Sequence, residues 1–206
     1  MTTINVKNQY HHGDLRSSLL DTAALIMQQH GETALSMRRL AQEVGVSRTA
    51  PYHHFKDKDD LLCAIAEEGF RRWQEELQLG SDENIWQASE ASIEEFITAY
   101  INFATRNSAY YDLMFAGKIW RSGALTETLK REAYQAFKRY VAIVRNWQED
   151  QLVSSAVNPL RYTQVSWSAL HGMSRLLIDG IYIDNDAIGQ MHKTAAAMFW
   201  HQLKTE

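Results

Sequence analysis

Three features of the 206-residue sequence predict an all-α fold, a small head on a larger helical body. Only two prolines occur in the chain. Apolar residues recur at i, i+3, i+4 and i+7 over long segments, and no Val- or Ile-rich alternation bounded by turn residues suggests a sheet. The third feature is an uneven division of charge and aromatic mass. Residues 1–56 carry six Lys/Arg against four Asp/Glu, although the whole chain has a net charge of -4, and all six tryptophans lie at or beyond Trp73. The expected organisation is a mildly basic head, residues 1–56, and an acidic, Trp-rich body, residues 57–206, whose segment 57–79 is a linking helix.

In the head, Leu15, Leu19, Ala23 and Ile26 form the stripe of a first helix that stops near His30-Gly31. Met37, Leu40, Ala41 and Val44 give a second helix, closed by Gly45 where a positive φ is easily adopted. Ser47 is expected to cap a short third helix by accepting a backbone N–H two or three residues on, leaving Arg48, Thr49 and Ala50 on the exposed first turn. Pro51 ends that turn, where it removes a single backbone bond. Tyr52 and Phe55, three apart, are expected to pack back on the first two helices. This is the helix-turn-helix plan, in which the N-terminal side chains of the second motif helix face outward.

Asp57 is placed to cap the linking helix, and Asp60 complements its positive end. Its stripe is Leu62, Ala66, Phe70, Trp73 and Leu77, running toward Gly80. Ser92 and Glu95 have capping-box spacing ahead of Phe96, Tyr100 and Phe103. "SAYYDLMFAG" predicts a short helix ending at Gly117, and a long helix from Leu125 to about Leu152 puts Tyr134, Phe137, Val141 and Val144 on one stripe. Asn158 and Pro159, a cap and then proline at the first helical position, open a helix through Trp167, Leu170, Ser174 and Leu177. The last helix starts at Asp184 or Asn185 and carries Met191, Ala195, Met198 and Phe199.

Hydrophobic residues make up 45% and charged residues 22%, which argues against disorder. The single cysteine, Cys63, can form no internal disulfide, as in a reducing compartment. The N-terminus lacks a signal-peptide apolar core and no stretch approaches the roughly 18 apolar residues of a membrane span, so a cytoplasmic location without membrane contact is expected. No nucleophile elbow, phosphate-binding glycine loop or metal-ligand spacing appears, and no enzyme is expected. His11-His12 and His53-His54 are adjacent pairs that diverge by about 100° on a helix. Neither metal nor cofactor is expected.

On the exposed turn, Arg48 has the reach for a bidentate bond to guanine O6 and N7, the Thr49 methyl for thymine, and Arg38 for a base edge or phosphate. Tyr52, His53 and Lys58 are suited to phosphates, which set register without reading sequence. Residues 37–62, "MRRLAQEVGVSRTAPYHHFKDKDDLL", resemble the DNA-binding head of the TetR family of transcriptional repressors, including the spacing of Tyr52, Phe55 and Lys58. The resemblance implies contacts to double-stranded DNA at Arg38, Arg48, Thr49, Tyr52, His53 and Lys58, with Ser47 beside them and Ala50 offering only a methyl.

"WSALHGMSRLLIDG", residues 167–180, is similar to a subgroup of that family with a Trp-x-x-x-His-Gly element. The resemblance implies a homodimeric repressor on a near-palindromic operator, released by a small-molecule effector held in the body. Candidate effector contacts are Phe96, Tyr100, Phe103, Tyr111, Met114, Trp120, Tyr134, Phe137, Trp167 and His171. They suit a largely apolar molecule, planar or cationic, held by a few polar groups. Candidate dimer contacts on the last two helices are Leu170, Ser174, Leu177, Met191, Ala195 and Met198. Taken without the resemblance, the aromatic stripes also suit a plain core, and the whole chain suits a helical small-molecule binder or adaptor that does not bind DNA.

Overall fold

Polar caps set most helix boundaries in the computed structural model, which describes residues 15–79, 86–121 and 125–204. Helix α1 (Leu15–His30) is followed by Gly31, and α2 (Met37–Val44) starts at Ser36, whose hydroxyl accepts the Arg39 N–H. Gly45 ends α2 at φ 78°, a left-handed conformation that glycine adopts without Cβ strain. Helix α3 (Lys58–Glu76) is capped by Asp57, which accepts the Asp60 N–H at 2.9 Å, and the Asp60 carboxylate in turn accepts the Lys56 N–H at 2.9 Å. Then come α4 (Glu90–Arg106), α5 (Ser108–Met114), α6 (Gly117–Arg121), α7 (Glu127–Glu149), α8 (Pro159–Ile178) and α9 (Asn185–Lys204). No strand occurs among the described residues, so the all-α expectation holds. The His11-His12 pair and Gly80 lie outside the described residues.

The segment after Gly45 departs most from expectation. Residues Ala50–His53 form a single 3-10 turn instead of an α-helix. The Ser47 hydroxyl meets Thr49 Oγ1 at 3.1 Å and makes no helix cap, while its carbonyl accepts the Ala50 N–H at 3.0 Å. Pro51 and Phe55 are buried, but Tyr52 is 56% exposed. A three-residue spacing puts side chains on one face only while the helix continues, and this one ends before Phe55. In the body, Ser89 caps α4 one turn earlier than expected, so Ser92 is a buried first-turn residue and makes no capping box with Glu95. Helix α5 stops at Met114 and Gly117 opens α6. Thr126 caps α7, which is shorter than the span 125–152. Asn158 and Pro159 open α8 as expected, Asn158 accepting the Arg161 N–H at 3.1 Å.

Helix α3 is the axis of the molecule. Its N-terminal half buries Leu61, Leu62, Ile65 and Ala66, and its C-terminal half buries Phe70 and Trp73, all in one continuous core that runs from α1 into the body. It packs against both α5 and α7. At the crossing with α5, a Cβ on Gly69 would lie 2.8 Å from Met114 Cγ and Sδ, so the close approach requires glycine.

At the preceding position, buried Glu68 accepts hydrogen bonds from Arg71 at 2.7 Å and Arg72 at 2.6 Å. Burial alone would raise the Glu68 carboxyl, but the two guanidinium groups hold it below the ordinary carboxylate range. A depressed folded-state value contributes stability above the unfolded value, and that contribution is lost as pH falls through the folded value. Glu68→Gln is therefore expected to cost about 2 kcal/mol at neutral pH, between exposed and fully buried pairs. The difference from the unmodified chain should shrink on acidification, measured by chemical denaturation across the carboxylate range.

Candidate nucleic-acid edge and aromatic groove

The turn between α2 and α3 presents its polar side chains outward because Pro51 and Phe55 anchor it to the core from within. Ser47, Arg48, Thr49, Tyr52, His53 and, from α2, Arg38 are all exposed, and Ala50 is half-buried. Among the described residues, Arg38 and Arg48 have no ion-pair partner, whereas their neighbour Arg39 pairs with Glu43 at 3.7 Å. Lys58 is partly withdrawn. Its ammonium donates to the Glu32 carbonyl at 2.9 Å, tying the start of α3 to the turn after α1. The arrangement offers two unpaired guanidiniums, hydroxyls from Ser47, Thr49 and Tyr52, and an imidazole on one convex edge, a donor-rich surface suited to phosphates and base edges.

In the body, Phe137, Trp167 and His171 line an open groove of about 650 Å³ together with Phe115, Gln164 and Ser168. Trp167 is sandwiched between Trp73 of α3, at 5.6 Å and nearly parallel, and Phe137 of α7, at 5.1 Å. A hydrogen-bond chain runs beneath. Trp167 Nε1 donates to Tyr100 Oη at 2.7 Å, the two tyrosine hydroxyls lie 3.0 Å apart, and Tyr111 Oη lies 2.8 Å from His171 Nδ1. Burial, and then the Arg175 charge, lower the His171 pKa and favour the neutral ring. Burial pushes the Tyr111 hydroxyl up to about 12, so it keeps its proton. An indole can only donate, so the order in which every oxygen is both acceptor and donor runs Trp167, Tyr100, Tyr111, His171. Nδ1 of His171 then accepts, and Nε2 carries the ring proton.

The remaining aromatic candidates do not reach the groove. Phe103 and Met114 are core residues. Phe96 stacks on Tyr140 at 4.7 Å beside a separate void of about 20 Å³, room for no more than one water. Trp120 packs edge-on against Phe70 and donates to the Met114 carbonyl at 2.8 Å. Tyr134 is 67% exposed and lines neither space, being offset from Phe137 by about 60° at the edge of the α7 stripe. Sequence reasoning passed over Phe115, Gln164 and Ser168. For the last two a signal existed: residues 164, 167, 168 and 171 have the i, i+3, i+4, i+7 spacing of one helix face.

The dimer candidates also divide. Leu170 and Ser174 are fully buried and Ala195 nearly so, because α8 and α9 both lay their apolar stripes on α4 of the same chain. They are interior residues, not a surface for a second copy. Leu177 and Met191 are half-buried, and Met198 is 66% exposed. Other exposed apolar side chains are Val165 on α8, at 67%, and the run Ile181, Tyr182 and Ile183 between α8 and α9.

Polar contacts add to the shared core in fastening head to body. Asp21 of α1 accepts hydrogen bonds from Arg72 of α3 and Tyr110 of α5, each at 2.7 Å, and the Arg72 guanidinium lies 4.7 Å from the Tyr110 ring centre. Lys118 of α6 pairs with Glu32 of the head. Tyr110 is the residue next to Tyr111, so α5 touches the groove through one tyrosine and the head through the other.

Comparison with known proteins follows this division. Residues 19–65 match the family model described as bacterial regulatory proteins, tetR family, and residues 93–199, more than half of the chain, match the tetracyclin repressor-like C-terminal domain. An HTH-type transcriptional repressor of Mycobacterium tuberculosis is 40% identical over 62 residues, which is 30% of this chain and 33% of that protein. AcnR of Corynebacterium diphtheriae is 40% identical over 60 residues, 29% of this chain and 32% of that one. The matched stretch thus spans about a third of the length of these relatives. Among solved structures, a Rhodococcus protein of unknown function superposes with a TM-score of 0.80 at 29% identity, covering 97% of this chain and all of that one. The TetR family regulator PfmR of Thermus thermophilus gives 0.64 at 21% identity, covering 91% and 99%, a likeness of fold alone. With a helix-turn-helix head and a helical body each matched by its own family model, the chain belongs to the TetR family of bacterial regulatory proteins.

Proposed function

We propose that the chain is a one-component transcriptional repressor that binds a near-palindromic operator as a homodimer and leaves it when a small molecule occupies the groove. One observation carries this reading. Helix α3 begins beside the exposed Ser47–His53 edge, and its far half supplies Trp73, on which the groove residue Trp167 stacks. A ligand that shifts Trp167 therefore acts on the rod that aims the head. In this reading Arg48 and Thr49 meet base edges, Arg38 a base or phosphate, Ala50 a thymine methyl, and Ser47, Tyr52 and His53 the backbone. Lys58 contributes charge to a phosphate while keeping its bond to Glu32. The 57–206 body holds the ligand and the pairing surface, and the 1–56 head holds the DNA edge. No helix among the described residues is long and apolar enough to cross a membrane.

The test is a titration of genomic fragments by fluorescence anisotropy at several salt concentrations. A regulator retains a small subset of fragments with nanomolar affinity and a steep salt dependence. Uniform weak retention of all fragments would leave the adaptor reading in place.

Ligand can release DNA only by binding two head arrangements differently, and a 100-fold loss of operator affinity corresponds to about 2.7 kcal/mol of coupling. Part of this is expected to pass through the Asp21 cluster. Tyr110→Phe removes one hydrogen bond to a carboxylate and should weaken the coupling by about 1 kcal/mol, roughly five-fold, with little change in ligand affinity itself. Operator titrations with and without saturating ligand measure it, and an unchanged ratio in the variant would remove α5 from the route.

A further inference from the structure

The groove's unspent hydrogen-bonding capacity defines a ligand more narrowly than its aromatic floor does. Each polar lining residue is already committed on one side. Arg161 Nη1 donates to Gln164 Oε1 at 2.7 Å, and since a guanidinium only donates, this fixes the amide orientation and leaves the Gln164 NH₂ free to donate. Ser168 Oγ spends its proton on the Gln164 carbonyl at 2.7 Å and can only accept. His171 Nδ1 is occupied by the Tyr111 hydroxyl at 2.8 Å, leaving Nε2–H. Along α8 these groups fall at i, i+4 and i+7, so the two donors are separated by seven residues, about 10 Å of helix axis, with the single acceptor between them. No lining residue is a carboxylate. At one end stands Arg161, without an ion pair among the described residues, and at the other Arg175, paired with Asp112 and Asp179.

We infer that the groove takes a neutral, planar, fused-ring ligand with a hydrogen-bond acceptor, such as a ketone oxygen, at each end, its ring laid on the face of Phe137 turned away from Trp167. The two acceptors meet the Gln164 amide and the His171 Nε2–H, and a hydroxyl on the intervening edge donates to Ser168. The cationic ligand allowed by sequence composition is disfavoured: no carboxylate lines the groove and the unpaired Arg161 guanidinium stands at one end, while the Arg175 charge at the other end is offset by Asp112 and Asp179. The inference rests on the reading of this groove as the effector site.

Four naphthalenes substituted at opposite ends test it by calorimetric titration of the full chain: the diacetyl, diethyl, bis(aminomethyl) and dicarboxylate compounds. Diacetylnaphthalene is expected to bind at least roughly ten-fold more tightly than diethylnaphthalene, the effect of two added hydrogen bonds, and the dication not at all. Gln164→Leu, on the exposed side of α8, and His171→Phe should each cut the ratio of diketone to hydrocarbon affinity about three-fold or more. Equal binding of diketone and hydrocarbon, or tighter binding of either charged compound, would overturn the ligand class while leaving the groove a site. Failure of all four, with operator binding intact, would instead remove the groove as the effector site.

Discussion

Met198→Glu is expected to convert a dimer into a monomer and to lower operator affinity by roughly two to three orders of magnitude. The side chain is 66% exposed on α9, and Val165, 67% exposed on α8, is equally unpartnered within the protomer. A carboxylate at Met198 stays in water in the monomer, so the protomer should keep its fold and its circular dichroism. In a pair it would be buried against an apolar face without a counter-charge, which costs several kcal/mol. The effect on DNA follows from geometry. One helix-turn-helix makes too few contacts for tight binding, and two heads held about 34 to 36 Å apart reach successive major grooves on one face of the duplex. Separating them removes the high effective concentration that the first contact provides for the second. Sedimentation at micromolar concentration reads the assembly and anisotropy reads the operator. An unmodified chain that sediments as a monomer, or a Met198→Glu chain that remains dimeric, would show that the pairing surface lies elsewhere.

The second large effect is expected at Arg48. Arg48→Ala should lose roughly 1 to 3 kcal/mol per half-site on the preferred operator, felt twice in a dimer, and should relax the base preference at one position of each half-site. Its side chain is exposed and free of ion pairs among the described residues, so truncation has little reason to disturb the head. Lys58→Ala provides the contrast. It should weaken all DNA alike and flatten the salt dependence by about one phosphate contact, and it should also loosen the head slightly by releasing the Glu32 carbonyl. The discriminating measurement is competition of specific against random duplex for both variants. Equal losses of Arg48→Ala on the two duplexes would assign that residue to the backbone and leave base reading to Arg38 or Thr49.

Much of the fold was legible because helix starts and stops are local chemistry. Asp57 ahead of Asp60, Asn158 ahead of Pro159 and Gly45 after Val44 each satisfy or release backbone groups within a few residues, and the structure has helices beginning or ending at each. Where two caps compete, adjacency is not enough. Ser89 and Ser92 are both good caps, and the helix takes Ser89, leaving Ser92 as a buried first-turn residue. Ser47 also lost its expected role. Burial of Pro51 and Phe55 holds the chain in a 3-10 turn that leaves the hydroxyl only Thr49 to bond, and Tyr52 turns out to solvent.

Periodicity, caps and composition thus carried the all-helical class, the helix-turn-helix head with its outward Arg48-Thr49 edge, and the aromatic wealth of the body. Which apolar residues serve which surface was decided only in three dimensions. Periodicity identifies the stripe a helix buries but not the chain it is buried against, so Leu170 and Ser174 read like an interface and are interior, while Val165 and Met198 are left outside. The groove is tertiary in the same sense. Its chain of hydrogen bonds joins Trp167, Tyr100, Tyr111 and His171 from three helices, with partners as many as 67 residues apart, and the tautomer assigned to His171 follows from that chain. A hydrogen bond depends on a few tenths of an ångström and on direction, and residue type alone carries neither.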